Sequence, residues 1–162
     1  MKKKYRKIAK KYLLDNLKEY KATADINKNI FKYIEGGTDV IKNSIRAYEE
    51  HKTKVDRILE ELSNTHSINQ KALAWIIKDM VKFLEKEVVL YECIIGSDSD
   101  PSKNDGGWNI SCLEKVIDVT SFIYKYAASN LDKKIYNRIY VVFSAIGNKK
   151  IIKKYQDLHI KL

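Results

Sequence analysis

The sequence predicts an all-α fold: a single-domain helical bundle of about five helices followed by a short C-terminal amphipathic helix. Three observations predict it. Apolar residues recur at three- and four-residue steps along nearly the whole chain. Pro101 is the only proline, so little interrupts the bonding of each N–H to the carbonyl four residues back. Glycines stand where the apolar periodicity stops, at Gly36-Gly37, Gly96 and Gly147. At 162 residues the length is that of one ordinary domain.

The first helix is predicted from about Lys3 to Glu35, with a bend near Thr23 to Asn27. Ile8, Ala9, Tyr12, Leu13 and Tyr20 share one side, and Ile26, Ile30, Phe31 and Ile34 continue the pattern. Thr38 or Asp39 caps the second helix, which sets Ile41, Ile45, Tyr48, Val55, Leu59 and Leu62 in a seam that only Lys52 breaks. That seam suits an internal core or a homodimer equally. Ser67-Ile-Asn-Gln70 has the form of a capping box and opens a third helix with Leu73, Ile76, Ile77, Met80, Leu84, Val88, Tyr91 and Ile95 inward.

Residues 96–108 are dense in Gly, Ser, Asp and Asn and form the one clear loop. Ser111 and Glu114 make a second capping box for a helix that buries Leu113, Val116, Ile117, Thr120, Ile123 and Ala127. A fifth helix follows Asn130 with Leu131, Ile135, Ile139, Val142, Phe143 and Ile146. The β-branched and aromatic runs at 88–91 and 138–144 leave a small strand pairing as the alternative there. The tail from Lys149 to Leu162 is amphipathic.

The chain carries 31 basic and 21 acidic residues, a formal charge of +10. With 44% apolar and 32% charged residues it is neither collagen-like, nor a disulfide framework, nor wholly disordered. No run approaches the ~18 apolar residues of a membrane span, and the basic opening Met1 to Lys7 leads into charged residues where a secretory leader has its apolar segment. Cys93 and Cys112 have no paired spacing and read as small buried hydrophobes. The expected location is the cytoplasm, with no cofactor and no membrane partner.

Charge is uneven: +8 over residues 1–34, −4 over 35–100 and +6 over 101–162. At 100° per residue Lys3, Lys7, Lys10, Lys11, Lys18 and Lys21 fall within one third of the first helix, away from Ile8, Ala9, Tyr12 and Tyr20. In the tail Lys149, Lys150, Lys153 and Lys154 oppose Ile151, Ile152, Tyr155, Leu158 and Leu162. Such faces neutralise phosphates, whereas a merely solubilising face usually mixes in glutamates. The expected function is therefore a small non-catalytic nucleic-acid-binding regulator or accessory protein. With 27 Lys and only 4 Arg, bidentate reading of bases is disfavoured. The same Lys-, Ile-, Asn- and Tyr-rich composition arises from AT-rich coding, as in a low-GC bacterium, phage or mobile element. The rival reading is a protein-interaction module, an inhibitor, immunity-like factor or adaptor, that binds a partner with an acidic patch.

Three further patterns bear on function. Val142 to Gly147 followed by Asn148 to Tyr155 has the apolar helix, glycine turn and basic helix of a helix-turn-helix, with Ile151 and Ile152 arriving early. Arg46-Ala-Tyr-Glu-Glu-His51 resembles the Arg-x4-His motif of the HEPN ribonucleases, a helical family, which implies a ribonuclease site at Arg46 and His51. The match covers six residues and lacks the polar residue that usually follows the arginine. Residues five apart also lie about 140° around a straight helix, and the bland alternative is a pair of solvated polar residues flanking Tyr48. Asp98, Asp100 and Asp105 approximate a calcium loop, but Lys103 and Asn109 stand where it needs glycine and glutamate. No metal site is expected, and enzymatic activity is not.

Overall fold

In a computed structural model the protein is described over residues 1–64, 67–96, 110–128 and 133–160. Within these residues there are six helices and no strand: α1 Lys3–Phe31, α2 Gly37–Ser63, α3 Gln70–Gly96, α4 Ile110–Ala127, α5 Lys133–Ile146 and α6 Lys149–Gln156. The all-α prediction holds, and both candidate strand segments are helical. The loop beyond Gly96, its aspartates, Asn130 and Leu131 lie outside the described residues. The chain divides into two compact units, Met1–Ala72 and Leu73–Leu162.

The first unit is built on an antiparallel pair. Lys10 meets Ser63, Tyr20 meets His51 and Asn27 meets Ser44, so numbers rise along α1 as they fall along α2. α1 is not split into two pieces near Thr23: the helix runs unbroken through Thr23 to Asn27. No glycine or proline interrupts α1, and the Thr23 hydroxyl donates to Glu19 O at 3.0 Å inside the helix.

α1 ends at Phe31 rather than Glu35, because the chain reverses through a tight turn whose Gly36 has φ +76°. That turn leads straight into α2 at Gly37, so Thr38 and Asp39 occupy the first turn and neither caps it. Asp39 still sits favourably at the positive end of the helix dipole. Along α2 the buried line is His51, Val55, Ile58 and Leu62: Val55 and Leu62 belong to the predicted seam, while His51 and Ile58 lie one position to its side. Leu59 is half-buried and Ile45 is exposed.

After α2, Asn69 rather than Ser67 caps α3: its Oδ1 accepts from Lys71 N at 2.8 Å. Its own N–H donates to Glu61 Oε2 at 3.1 Å, the reciprocal bond that a capping box would draw from within the helix.

In the second unit α4 is the most enclosed helix. Its predicted inward positions are buried except Ala127, which is half-buried; it also buries Val119, Ser121 and Phe122, and the Thr120 hydroxyl donates to Val116 O at 2.7 Å. α4 starts at Ile110, so Ser111 lies inside the first turn instead of at the cap. The predicted inward positions of α3 and α5 are buried, with Leu73 and Ile95 partly so, and Tyr136 joins them.

Gly147, at φ +73°, ends α5 by bonding its N–H to Phe143 O. Asn148 then caps α6, accepting from Lys150 N and Ile151 N at 3.1 and 3.2 Å. α6 packs on α4 and α5 through Ile151 and Tyr155, whose hydroxyl donates to Tyr136 O at 2.7 Å. Both cysteines are exposed rather than buried: Cys93 lies across α3 from its inward line, and Cys112 is in the exposed first turn of α4.

Candidate nucleic-acid interface

The lysine face of α1 exists because the opposite stripe is taken up by packing. Burial of Ile8, Ala9, Tyr12, Leu13 and Asn16 fixes the rotation of the helix about its axis, and the lysines are left outward. Lys3, Lys7, Lys11, Lys18 and Lys21 are exposed, and none has an ion-pair partner among the described residues. From Lys3 to Lys21 the run is about 27 Å long.

Lys10 differs. It is half-buried, and its Nζ donates to Ser63 Oγ at 3.0 Å, while Ser63 Oγ donates to Leu59 O at 2.8 Å. Two further features of the face emerge when every residue of the helix is placed on the wheel. Lys28 extends it, and Leu14 and Asp25 interrupt it, all three exposed.

The start of α1 concentrates the charge further. Its first turn holds no acidic residue, while Lys2, Lys3 and Lys4 crowd the end where the helix dipole is already positive. Cations there repel the unpaired N–H groups, and an anion bound there is attracted by both.

In the second unit Lys149, Lys150 and Lys153 are exposed on α6, and no ion pair engages them among the described residues. Lys154 is different: it forms an ion pair with Glu114 of α4. The ten lysines singled out from sequence thus form two faces belonging to two units, with Lys10 and Lys154 committed to neighbours. α5, Gly147 and α6 do form two helices joined by a glycine turn. Ile151, early after the turn, is buried against the unit's own core, and the eight residues of α6 span about 12 Å.

The Arg46 and His51 pair is not drawn together. Arg46 is exposed and pairs with Glu50 and Asn43 along its own helix. His51 is only 8% exposed and stacks on Tyr20, ring centroids 4.2 Å apart and planes 21° from parallel. The histidine expected in solvent therefore helps join α1 to α2.

Elsewhere, Arg138 of α5 holds Glu92 of α3 through two bonds of 2.8 and 2.5 Å, which lowers the Glu92 pKa. Burial raises the Tyr155 pKa and pushes that of Tyr136 up to about 12. A cavity of about 250 Å³ is lined by Tyr140, Tyr155, Gln156, His159 and Ile160.

Among the described residues no three His, Cys, Asp or Glu side chains gather as a metal site, and no helix is long and apolar enough to cross a membrane. No protein-family model, curated protein or solved structure matches the chain.

Proposed function

We propose that this protein binds nucleic acid without catalysis, through the lysine face of α1 and, separately, the three exposed lysines of α6. The observation that carries the proposal is the state of Lys3, Lys7, Lys11, Lys18 and Lys21: outward, on one stripe, and unpaired among the described residues. Lysines that already held carboxylates would gain little from phosphates. These exchange only water and mobile ions, so contact with a polyanion releases condensed counterions.

The chemistry selects the backbone over the bases. Lysine is a hydrated point charge without the planar fork that reads guanine edges, and none of the four arginines lies on this face. The ~27 Å run spans about eight base-pair steps of duplex axis at ~3.4 Å each, over which both strands present phosphates to the five lysines. The predicted mode is sequence-tolerant and salt-sensitive.

The test is fluorescence anisotropy with mixed-sequence duplex and single-stranded oligonucleotides at ~50 mM salt, where even non-specific contacts register. K7E/K11E/K18E should remove most of the binding, leaving what the three exposed lysines of α6 supply, while K42E/K71E, which changes charge elsewhere in the same unit, should retain much of it. Equal losses would mean that net charge alone drives binding. No binding by the unaltered protein at that salt would refute the proposal and favour the acidic-protein partner.

A further inference from the structure

The cavity of about 250 Å³ in the second unit is walled by aromatic, amide and imidazole groups, and none of its lining residues is acidic. Tyr140 comes from the middle of α5, Tyr155 and Gln156 from the end of α6, and His159 and Ile160 from the segment that follows. The turn at Gly147 brings them together. The end of α6 returns to the middle of α5, where Tyr155 reaches the carbonyl of Tyr136 at 2.7 Å and Gln156 Nε2 lies 3.5 Å from the Tyr140 hydroxyl.

Two features make this a built wall rather than a chance dent. The half-buried Tyr140 ring is braced by the buried Tyr155, their planes 26° from parallel and their centroids 6.3 Å apart. His159 takes φ +49°, a left-handed conformation that glycine adopts more cheaply. A backbone position that favours glycine thus carries an imidazole lining the cavity, and such outliers cluster at ligand sites.

Size and chemistry select the occupant. The volume is below the ~300–1,000 Å³ of sites that enclose whole cofactors, so it suits one flat heterocycle. A ring of that kind can stack on Tyr140, and an amide both donates to and accepts from the edge of a base. The Gln156 amide oxygen has no partner among the described residues.

Positive charge stands on the same side. Gln156 is seven residues beyond Lys149 and three beyond Lys153, so the three share a stripe of α6 about 60° wide. Tyr140 is seven residues beyond Lys133, about 20° away around α5. All three lysines are exposed, and none has an ion-pair partner among the described residues. Lys149 and Lys153 approach the cavity from the side of the Gly147 turn and Lys133 from the opposite side, about 5–11 Å away along their helices. A basic line with an aromatic seat in its middle is how single strands are held, phosphates on the cations and a base on the ring.

We infer that this cavity seats one unstacked base of a single-stranded nucleic acid, its flanking phosphates on Lys149 and Lys153 at one side and on Lys133 at the other. Bases within a duplex are stacked and paired, so only a single strand, loop or end delivers one. The inference rests on the proposed nucleic-acid binding and adds to it a preference for single strands, carried by the second unit alone.

The probe is a single strand of about eight nucleotides with a fluorescent adenine analogue at its centre, whose emission falls when it stacks on an aromatic ring. The full chain should quench it, and K7E/K11E/K18E, which leaves the second unit untouched, should quench it too. In that background Tyr140→Leu should abolish the quench and weaken binding roughly 5- to 150-fold, the range for one base–aromatic stack. Tyr140→Phe, which keeps the ring, should restore both, and the exposed His159→Ala should weaken binding with the fold intact. Lys133→Gln should lower the salt slope on the strand by about 0.7. A strand bound without quenching, or quenched equally by Tyr140→Leu, overturns the inference and leaves the lysine faces standing. The analogue's free monophosphate binding as tightly as the strand would make this a small-molecule site and overturns it as well. Failure of the α1 face shows separately, as duplex binding that K7E/K11E/K18E leaves unchanged.

Discussion

Replacing Lys7, Lys11 and Lys18 with glutamine keeps the helix preference of the face while removing three of the five unpaired charges between Lys3 and Lys21. For duplex DNA, log K falls with log salt at about −0.9 per neutralised phosphate. Five contacts give a slope near −4.5, and the triple variant, with Lys3 and Lys21 left, a slope near −1.8. Raising salt from 50 to 200 mM should then cost the unaltered protein about 500-fold in affinity and the variant only about 12-fold. On single strands, where each contact is worth about −0.7, the unaltered slope should be near −3.5. Anisotropy titrations at five salt concentrations measure both slopes directly. Lys154→Gln is the control: its ammonium is already held by Glu114, so its loss should leave the slope in place. A flat dependence in the unaltered protein, or a triple variant with the full slope, refutes the reasoning that these lysines each meet a phosphate.

Other predictions concern the scaffold. Gly37→Ala places a Cβ 1.9 Å from the backbone oxygen of Phe31; the α1–α2 turn must open, and a thermal melt should show a loss of at least ~2 kcal/mol, the range of strained backbone substitutions. Asn148→Ala removes the acceptor for two N–H groups at the start of α6 and should cost about 1 kcal/mol in urea titration, against a few tenths for Asn148→Gly. The Arg138–Glu92 pair sets a pH dependence. The Glu92 pKa is lowered in the folded state, so its contribution is complete above the unfolded value near 4.5 and fades as pH falls through the folded one. Both side chains are about 40% exposed, which holds the effect to about 0.5 kcal/mol. Urea midpoints at pH 7 and pH 3 should therefore converge partly in Arg138→Met.

How far the sequence carried the candidate site depends on the kind of residue. The lysine stripe of α1 was legible because a long unbroken helix turns residue number directly into angle. The same arithmetic applied to every residue of the helix places Leu14 on that face, and beyond Lys21 it places Asp25 and Lys28 there as well. That Lys10 and Lys154 are engaged was not legible, since Ser63 and Glu114 lie 53 and 40 residues away in the chain and nothing local brings them near. His51 was misread for a related reason. A histidine between two glutamates and a lysine resembles a solvated residue until α1 sets Tyr20 against its ring.

The sequence by itself determined that the chain is helical and which side of each helix is apolar, because 3.6-residue periodicity is a local property of the backbone. It also marked the turns at Gly36 and Gly147, where only glycine takes a positive φ without strain. Tertiary packing alone decided that His51 and Ile58 join Val55 and Leu62 on the buried side of α2, the caps at Asn69 and Asn148, and which apolar stretches are covered. Ile8 and Ile26 are the same residue on the same line of one helix, and only the presence or absence of neighbours makes one core and the other surface.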